Sequence, residues 1–307
     1  MSIFRTGLLA GALAACPALA FAEDAFGPDF SIYGGYGLAN IKADELVYDG
    51  GSKLSELNWE SKWVSIFTLG LEAELDKDWT IRGDLDIGTG GDGHMVDYDW
   101  LVVPDEWSDR SIHPDTRLDH YFSANIQIDR EVFKDDASAV SIGAGFTYSD
   151  VKWTAYGGSY IYSYKGFRDD VGNFPDGEKG ISYQQKVPVG YLAVSGEHKV
   201  GQFTFSGGLR GGVSFGIEDI DDHWARDLRF YDSMDMAPML GASVTANYAL
   251  TQSASLYLTG SWDKVFHSYG DVKIVDTTGG SADMYFEDGA GATFEAMSIS
   301  FGLKGTF

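Results

Sequence analysis

The chain has 307 residues, a formal charge of −24 and a hydrophobic fraction of 44%. The acidic balance excludes nucleic-acid phosphates as partners and favours cationic ones such as Lys/Arg-rich peptides. Beyond the first residues no apolar run is long enough for a membrane helix, whereas 39 glycines, 14% aromatics and only 7 prolines suit a barrel of strands.

The first segment carries export signals. Arg5 supplies a positive start, residues 8–15 an apolar run, and Ala20-Phe21-Ala22 a small-x-small cleavage site ahead of Glu23. The sequence therefore predicts a signal peptide over 1–22 and one exported domain over 23–307. Leu13-Ala14-Ala15-Cys16 also resembles a bacterial lipobox, so lipidation at Cys16 stands as the alternative to cleavage after Ala22. After cleavage the chain has no cysteine and needs no disulfide chemistry.

Period-two alternation then dominates. Trp79, Ile81, Gly83, Leu85 and Ile87 are apolar or small, while Thr80, Arg82, Asp84 and Asp86 between them are polar. A lipid-facing strand with a wet lumen explains both faces. The pattern recurs at Phe203, Phe205, Gly207, Leu209, Gly211 and Val213, and again from Leu240 and from Ala254. The last strand places Ile299, Phe301, Leu303 and Gly305 on one face and Ser298, Ser300 and Lys304 on the other, ending at Phe307. Short polar connections at 76–78, 198–201 and 250–253 alternate with long polar segments at 42–57, 91–116, 150–180, 218–235 and 267–291, which read as external loops. The fold expected is all-β: a transmembrane antiparallel up-and-down barrel of about ten long strands with long extracellular loops. A strand from Trp79 to Asp97 climbs about 40 Å at a 45° tilt, well beyond the roughly 25 Å apolar band, so its acidic end lies outside the bilayer.

Two acidic stretches carry the chemistry. Asp97 and Asp99 lie at i and i+2 on one face of an extended strand, as do Asp219, Asp221 and His223. A carboxylate pair can hold a proton while an imidazole steered by an aspartate takes one from water. Strict alternation points both sets away from the lumen, so a β-bulge is expected near Gly88-Thr89-Gly90-Gly91 and near Gly216. Other readings stay open at this point: solvated loop acids, a calcium loop at Asp219, Asp221 and Asp222, a serine-hydrolase or lipase pair at Ser111 and His113, and a non-catalytic porin or adhesin. Tyr160, Tyr162 and Tyr164 read as groove contacts or interface aromatics.

Several motifs in order, from His94-Met95-Val96-Asp97-Tyr98-Asp99-Trp100 through Ser111-Ile112-His113-Pro114-Asp115-Thr116, Gly157-Gly158-Ser159-Tyr160 and Gly166-Phe167-Arg168-Asp169-Asp170 to Asp221-Asp222-His223, with Glu45-Leu46-Val47-Tyr48 early on, resemble the omptins. These are outer-membrane endoproteases of Gram-negative bacteria. The resemblance implies a ten-stranded barrel with its active-site groove facing outside. Asp97 and Asp99 match one catalytic couple, and Asp221 and His223 the other, with water as nucleophile and no metal. It implies cleavage beside Arg or Lys, with Glu45 and Asp219 gripping the basic side chain and Asp109 near the primed side of the groove. It also implies lipopolysaccharide as an activating lipid. Asp150 stands where the family places a basic residue, which shifts that role toward Lys152 and Lys199.

Overall fold

The computed structural model describes residues 30–103 and 105–307. The expected signal peptide, its cleavage site and Cys16 lie outside them. The strands are β1 (Phe30–Asp49), β2 (Ser52–Glu74), β3 (Trp79–Thr89), β4 (Asp92–Asp99), β5 (Asp109–Lys134), β6 (Ser138–Tyr156), β7 (Ser159–Tyr162), β8 (Asp170–Asn173), β9 (Lys179–Val200), β10 (Phe203–Ser214), β11 (Glu218–His223), β12 (Leu228–Met234), β13 (Ala237–Ala249), β14 (Ala254–Asp276) and β15 (Met284–Thr306). Antiparallel pairing runs β1, β2, β3 with β4, β5, β6, β9, β10 with β11, β13 with β12, β14 and β15. β15 then returns to β1, which closes a ring of about ten staves. The Phe30 and Phe307 backbones bond to each other across the seam.

Closure leaves no free edge among the staves of the ring, and the alternation then sorts side chains between lipid and lumen. Leu69, Leu192, Leu209, Val244, Phe301 and Leu303 stand exposed on the outer wall. Such an apolar belt is stable only against lipid. Inside the same staves the lumen is filled by ion pairs: Arg82 with Asp129 at 2.9 Å, Arg210 with Asp263 at 2.6 Å and Lys304 with Glu72 at 3.1 Å. The short turns are built by aspartates. Asp76 accepts the amides of Asp78 and Trp79, and Asp135 those of Ala137 and Ser138, which replaces ladder bonds where the chain reverses.

The long polar segments are mostly strand, not loop as expected. β1 and β2 meet at Gly50-Gly51, and β4, β11, β12 and the upper part of β14 lie within those segments. Outside the bilayer a strand keeps water near its outer face, so it loses the hydrophobic alternation that marks a strand in sequence. Between β6 and β9, β7 and β8 form a hairpin that pairs with β5.

The phase slip falls at the expected glycines. In β3 the even-numbered Gly88 is buried, but in β4 the odd-numbered Met95 and Asp97 are. Gly90 and Gly91 between them take φ of 70° and 98°, a region open to glycine. On the far side Ser214 is buried, then Ile217, Asp219 and Asp221, with Gly216 at φ 75° between them. Neighbouring staves slip with them. β2 bulges against β1 beside Trp63, and β5 bulges against β4 between the Gly93 and Met95 pairs. Each slip turns a new set of side chains inward above the belt.

Candidate active site

Above the ion-paired lumen lies an aromatic plug. Trp59 stacks on Trp153 at 6.1 Å and on Tyr183 at 5.6 Å, and all three are buried. Trp153 Nε1 donates to Ser61 Oγ. The plug is the floor of the site and makes its lower part a low-dielectric one.

On one wall, β4 turns Asp97 and Asp99 inward. β2 faces them with Ser55, whose hydroxyl donates to Asp97 Oδ1 at 3.0 Å and also lies within hydrogen-bonding reach of Asp99. Burial first, and then the Asp99 charge, push the Asp97 carboxyl up to about 7 against the opposing pull of Ser55 and His223. Asp99 is raised as well, chiefly by burial. A pair so placed holds a proton near neutral pH.

On the opposite wall, β11 presents Asp221 and His223. His223 Nε2 lies 2.6 Å from Asp221 Oδ2, and the ring packs on Phe230 at 5.0 Å. Burial alone would lower the imidazolium, but the charge and hydrogen bond of Asp221 outweigh it, with a contribution from Asp97, and the net shift is upward. The Nε2–H held by Asp221 leaves Nδ1 as the acceptor. The two couples, more than a hundred positions apart in sequence, therefore face each other closely enough for each charge to act on the other.

Below His223 lie Glu45 on β1, Asp219 on β11 and, directly across the β11–β12 pair, Asp232. All three are buried. Tyr183 donates to Asp219 Oδ2 at 2.8 Å, and Gln185 Nε2 to Tyr183 at 3.0 Å. Burial and the neighbouring acids raise Glu45 and Asp232 well above the carboxylate range, and burial brings Asp219 to about 7. Among the described residues no Lys or Arg pairs with these acids.

Asp109 has a different setting. Its Oδ2 accepts from Ser108 at 2.5 Å and its Oδ1 from the Ser163 amide at 2.8 Å. It thus anchors the rim, while its charge still reaches Asp99. Tyr162 leans over the couples, and burial, then Asp97, push its phenol up to about 12. Tyr164 is exposed. Ser111 and His113 do bond, at 2.9 Å, but His113 Nδ1 meets the Gly157 carbonyl at 2.6 Å, so no carboxylate completes a triad. Asp222 turns away to Arg229 at 2.6 and 3.1 Å, which removes it from any calcium loop with Asp219 and Asp221. On the outer wall Asp150 accepts from His120 and Gln184, both at 2.8 Å, with Lys152 and Lys186 beside it. Lys199 is at the short-turn end of β9, opposite the site, and does not belong with them.

The omptin family model matches residues 27–307. The chain belongs to the omptin family. It is 29% identical to Protease 7 of Escherichia coli strain K12 over 320 residues, covering 99% of this chain and 98% of the relative. It is 30% identical to the outer membrane protease OmpP of the same strain, with 94% of each covered. The crystal structure of the outer membrane protease OmpT from Escherichia coli superposes with a TM-score of 0.84 at 29% identity, covering 91% of this chain and 97% of that one. This omptin is a protease of the Gram-negative outer membrane.

Sequence reasoning missed Ser55, Tyr183 and Asp232. Asp232 had a signal: a hairpin turned around residues 224–227 sets it opposite Asp219. Ser55 and Tyr183 also lie opposite site acids across hairpins, Ser55 against Asp99 and Tyr183 against Asp221, but neither residue type marks a site in sequence.

Proposed function

We propose that this omptin hydrolyses peptide bonds beside Arg or Lys by direct attack of water. The observation that carries the reading is His223, bonded at 2.6 Å to buried Asp221 and facing the proton-holding Asp97–Asp99 pair across the barrel mouth. His223 Nδ1 takes a proton as the water oxygen bonds to the scissile carbonyl carbon. The protonated member of the Asp97–Asp99 pair donates to the developing oxyanion, where preorganised donors act most strongly. The imidazolium, steadied by Asp221, then returns the proton to the leaving amine nitrogen as the C–N bond breaks. No acyl-enzyme forms, and no metal or organic cofactor takes part.

Glu45 and Asp219 hold the basic side chain, since their free oxygens suit a guanidinium or an ammonium. Asp109 supports the primed side through the rim it anchors. Cationic peptides and proteins are the substrate class, reached from outside the cell. Lipopolysaccharide is the proposed lipid partner, its phosphates meeting Lys152, Lys186 and His120 around Asp150.

Refolded protein given a fluorogenic dibasic peptide, with and without lipopolysaccharide, tests the reading. Cleavage is expected between the basic residues and is stronger with the lipid. Equal cleavage of a neutral peptide, or turnover that survives both Asp97→Ala and His223→Ala, would overturn it.

A further inference from the structure

Among the described residues, no hydrogen-bond donor reaches four buried oxygens in the pocket: Glu45 Oε2, Asp221 Oδ1, Asp219 Oδ1 and Asp232 Oδ1. Their carboxyls stand in two pairs, Glu45 within hydrogen-bonding reach of Asp221, and Asp219 of Asp232. With all four ionised, each pair would set anion against anion away from water, a costly state. One proton in each pair turns an acceptor into a donor and satisfies both partners.

Among the described residues no basic side chain takes that place at Asp232. On its own strand Arg229 is bound to Asp222. β14 faces it with Val272, and of the flanking residues Lys273 bonds Asp283 at 2.8 Å while Asp271 is exposed. β11 faces it with Asp219 and Asp221, β1 with Glu45, and β9 with Tyr183. Tyr183 already donates to Asp219 Oδ2, which leaves Oδ1 for Asp232.

We propose that Asp232 is a further specificity residue of the cation pocket, sharing with Asp219 a proton that a substrate's guanidinium or ammonium displaces on binding. This rests on the reading of Glu45 and Asp219 as the pocket for the basic side chain. The bound cation supplies the positive charge that the proton supplied before, and both carboxylates then ionise. With Asp219 near 7, the exchange falls in the neutral range. Affinity for a basic residue therefore climbs as pH rises, by up to about tenfold per pH unit for each proton released.

Calorimetric titration of the refolded full chain tests this at pH 6.5, in two buffers of different ionisation enthalpy. The ligand is an arginyl peptide N-methylated at the scissile amide. The unaltered protein is expected to release protons on binding. In Asp232→Asn an amide donates permanently to Asp219, so about one proton fewer is released. The slope of KM against pH flattens accordingly, while the midpoint of the kcat profile stays where His223 sets it. Asp232→Ser, which removes the acid, gives the same loss of proton release if the asparagine variant folds poorly. A citrulline peptide separates the two claims. If it binds as tightly as the arginyl peptide, the cation pocket itself is wrong. If arginine is preferred but proton release is equal with and without Asp232, the pocket stands and this role for Asp232 is overturned.

Discussion

The lower and upper lumen of this barrel are lined by the same staves yet treat their acids differently. Below the aromatic plug, Asp129, Asp263 and Glu72 each have an Arg or Lys at 2.6–3.1 Å, while Asp84 accepts from the Asn125 amide and Asp86 from the Thr68 hydroxyl. Above it, Glu45, Asp219 and Asp232 have none, and Asp221 has only His223. The lower acids serve the fold, because a buried charge is tolerable when paired. Glu45, Asp219 and Asp232 keep raised proton affinities, and each of them and Asp221 keeps a free oxygen, a cost to stability that the proposed site for a cation and a water accounts for. The difference teaches where to look for function in a barrel: at a cluster of buried acids whose oxygens have neither a cation nor a hydrogen-bond donor.

The largest expected effect comes from removing the proposed catalytic couples of the upper half. His223→Ala or Asp97→Ala should lower kcat on a dibasic peptide by about 10²- to 10⁴-fold, with little change in KM, measured by fluorescence on refolded protein. Next comes the pocket. Glu45→Gln should raise KM for an arginyl peptide by about 10- to 100-fold, the loss of one charge-assisted contact of about 1.5–3 kcal/mol; an equal rise for a citrulline peptide would point to misfolding instead.

The pH profile sharpens the contrast. His223 must be neutral to accept a proton, and its affinity is raised above the ordinary 6.5. Activity should therefore fall as pH drops through that raised value. Asp221→Asn removes the main upward cause and leaves burial, which lowers, against the smaller pull of Asp97. The acid limb of kcat/KM should then move to lower pH. The smallest effect on catalysis belongs to the lower half. Arg210→Ala strips the cation from Asp263 and should cost about 1–3 kcal/mol of stability, read by urea unfolding in micelles, with KM for the arginyl peptide unmoved. A shift in KM there would mean the two halves are coupled.

The site lines up with the sequence only in part. Asp97, Asp99, Asp221 and His223 could be picked out because i, i+2 spacing on a strand survives in any extended segment. The glycines that redirect them could be named because parity fails there and only a bulge restores it. The polar strands above the membrane were hidden, since water outside replaces the lipid that writes alternation into the belt. Asp109 read as one more groove acid, and only the Ser108 and Ser163 hydrogen bonds show it anchoring the rim.

By itself the amino-acid order determined the barrel and the candidate site residues: a two-residue period, a terminal aromatic strand, and an Asp–Asp and an Asp–His couple each spaced for one face. Tertiary structure alone decided that these couples oppose each other, and that the Asp219–Asp232 pair faces Glu45 in a pocket with no basic partner among the described residues. The physical reason is that periodicity fixes which way a side chain points along its own strand. Which other side chain it meets, and whether that partner brings a charge, is fixed only when the ring closes.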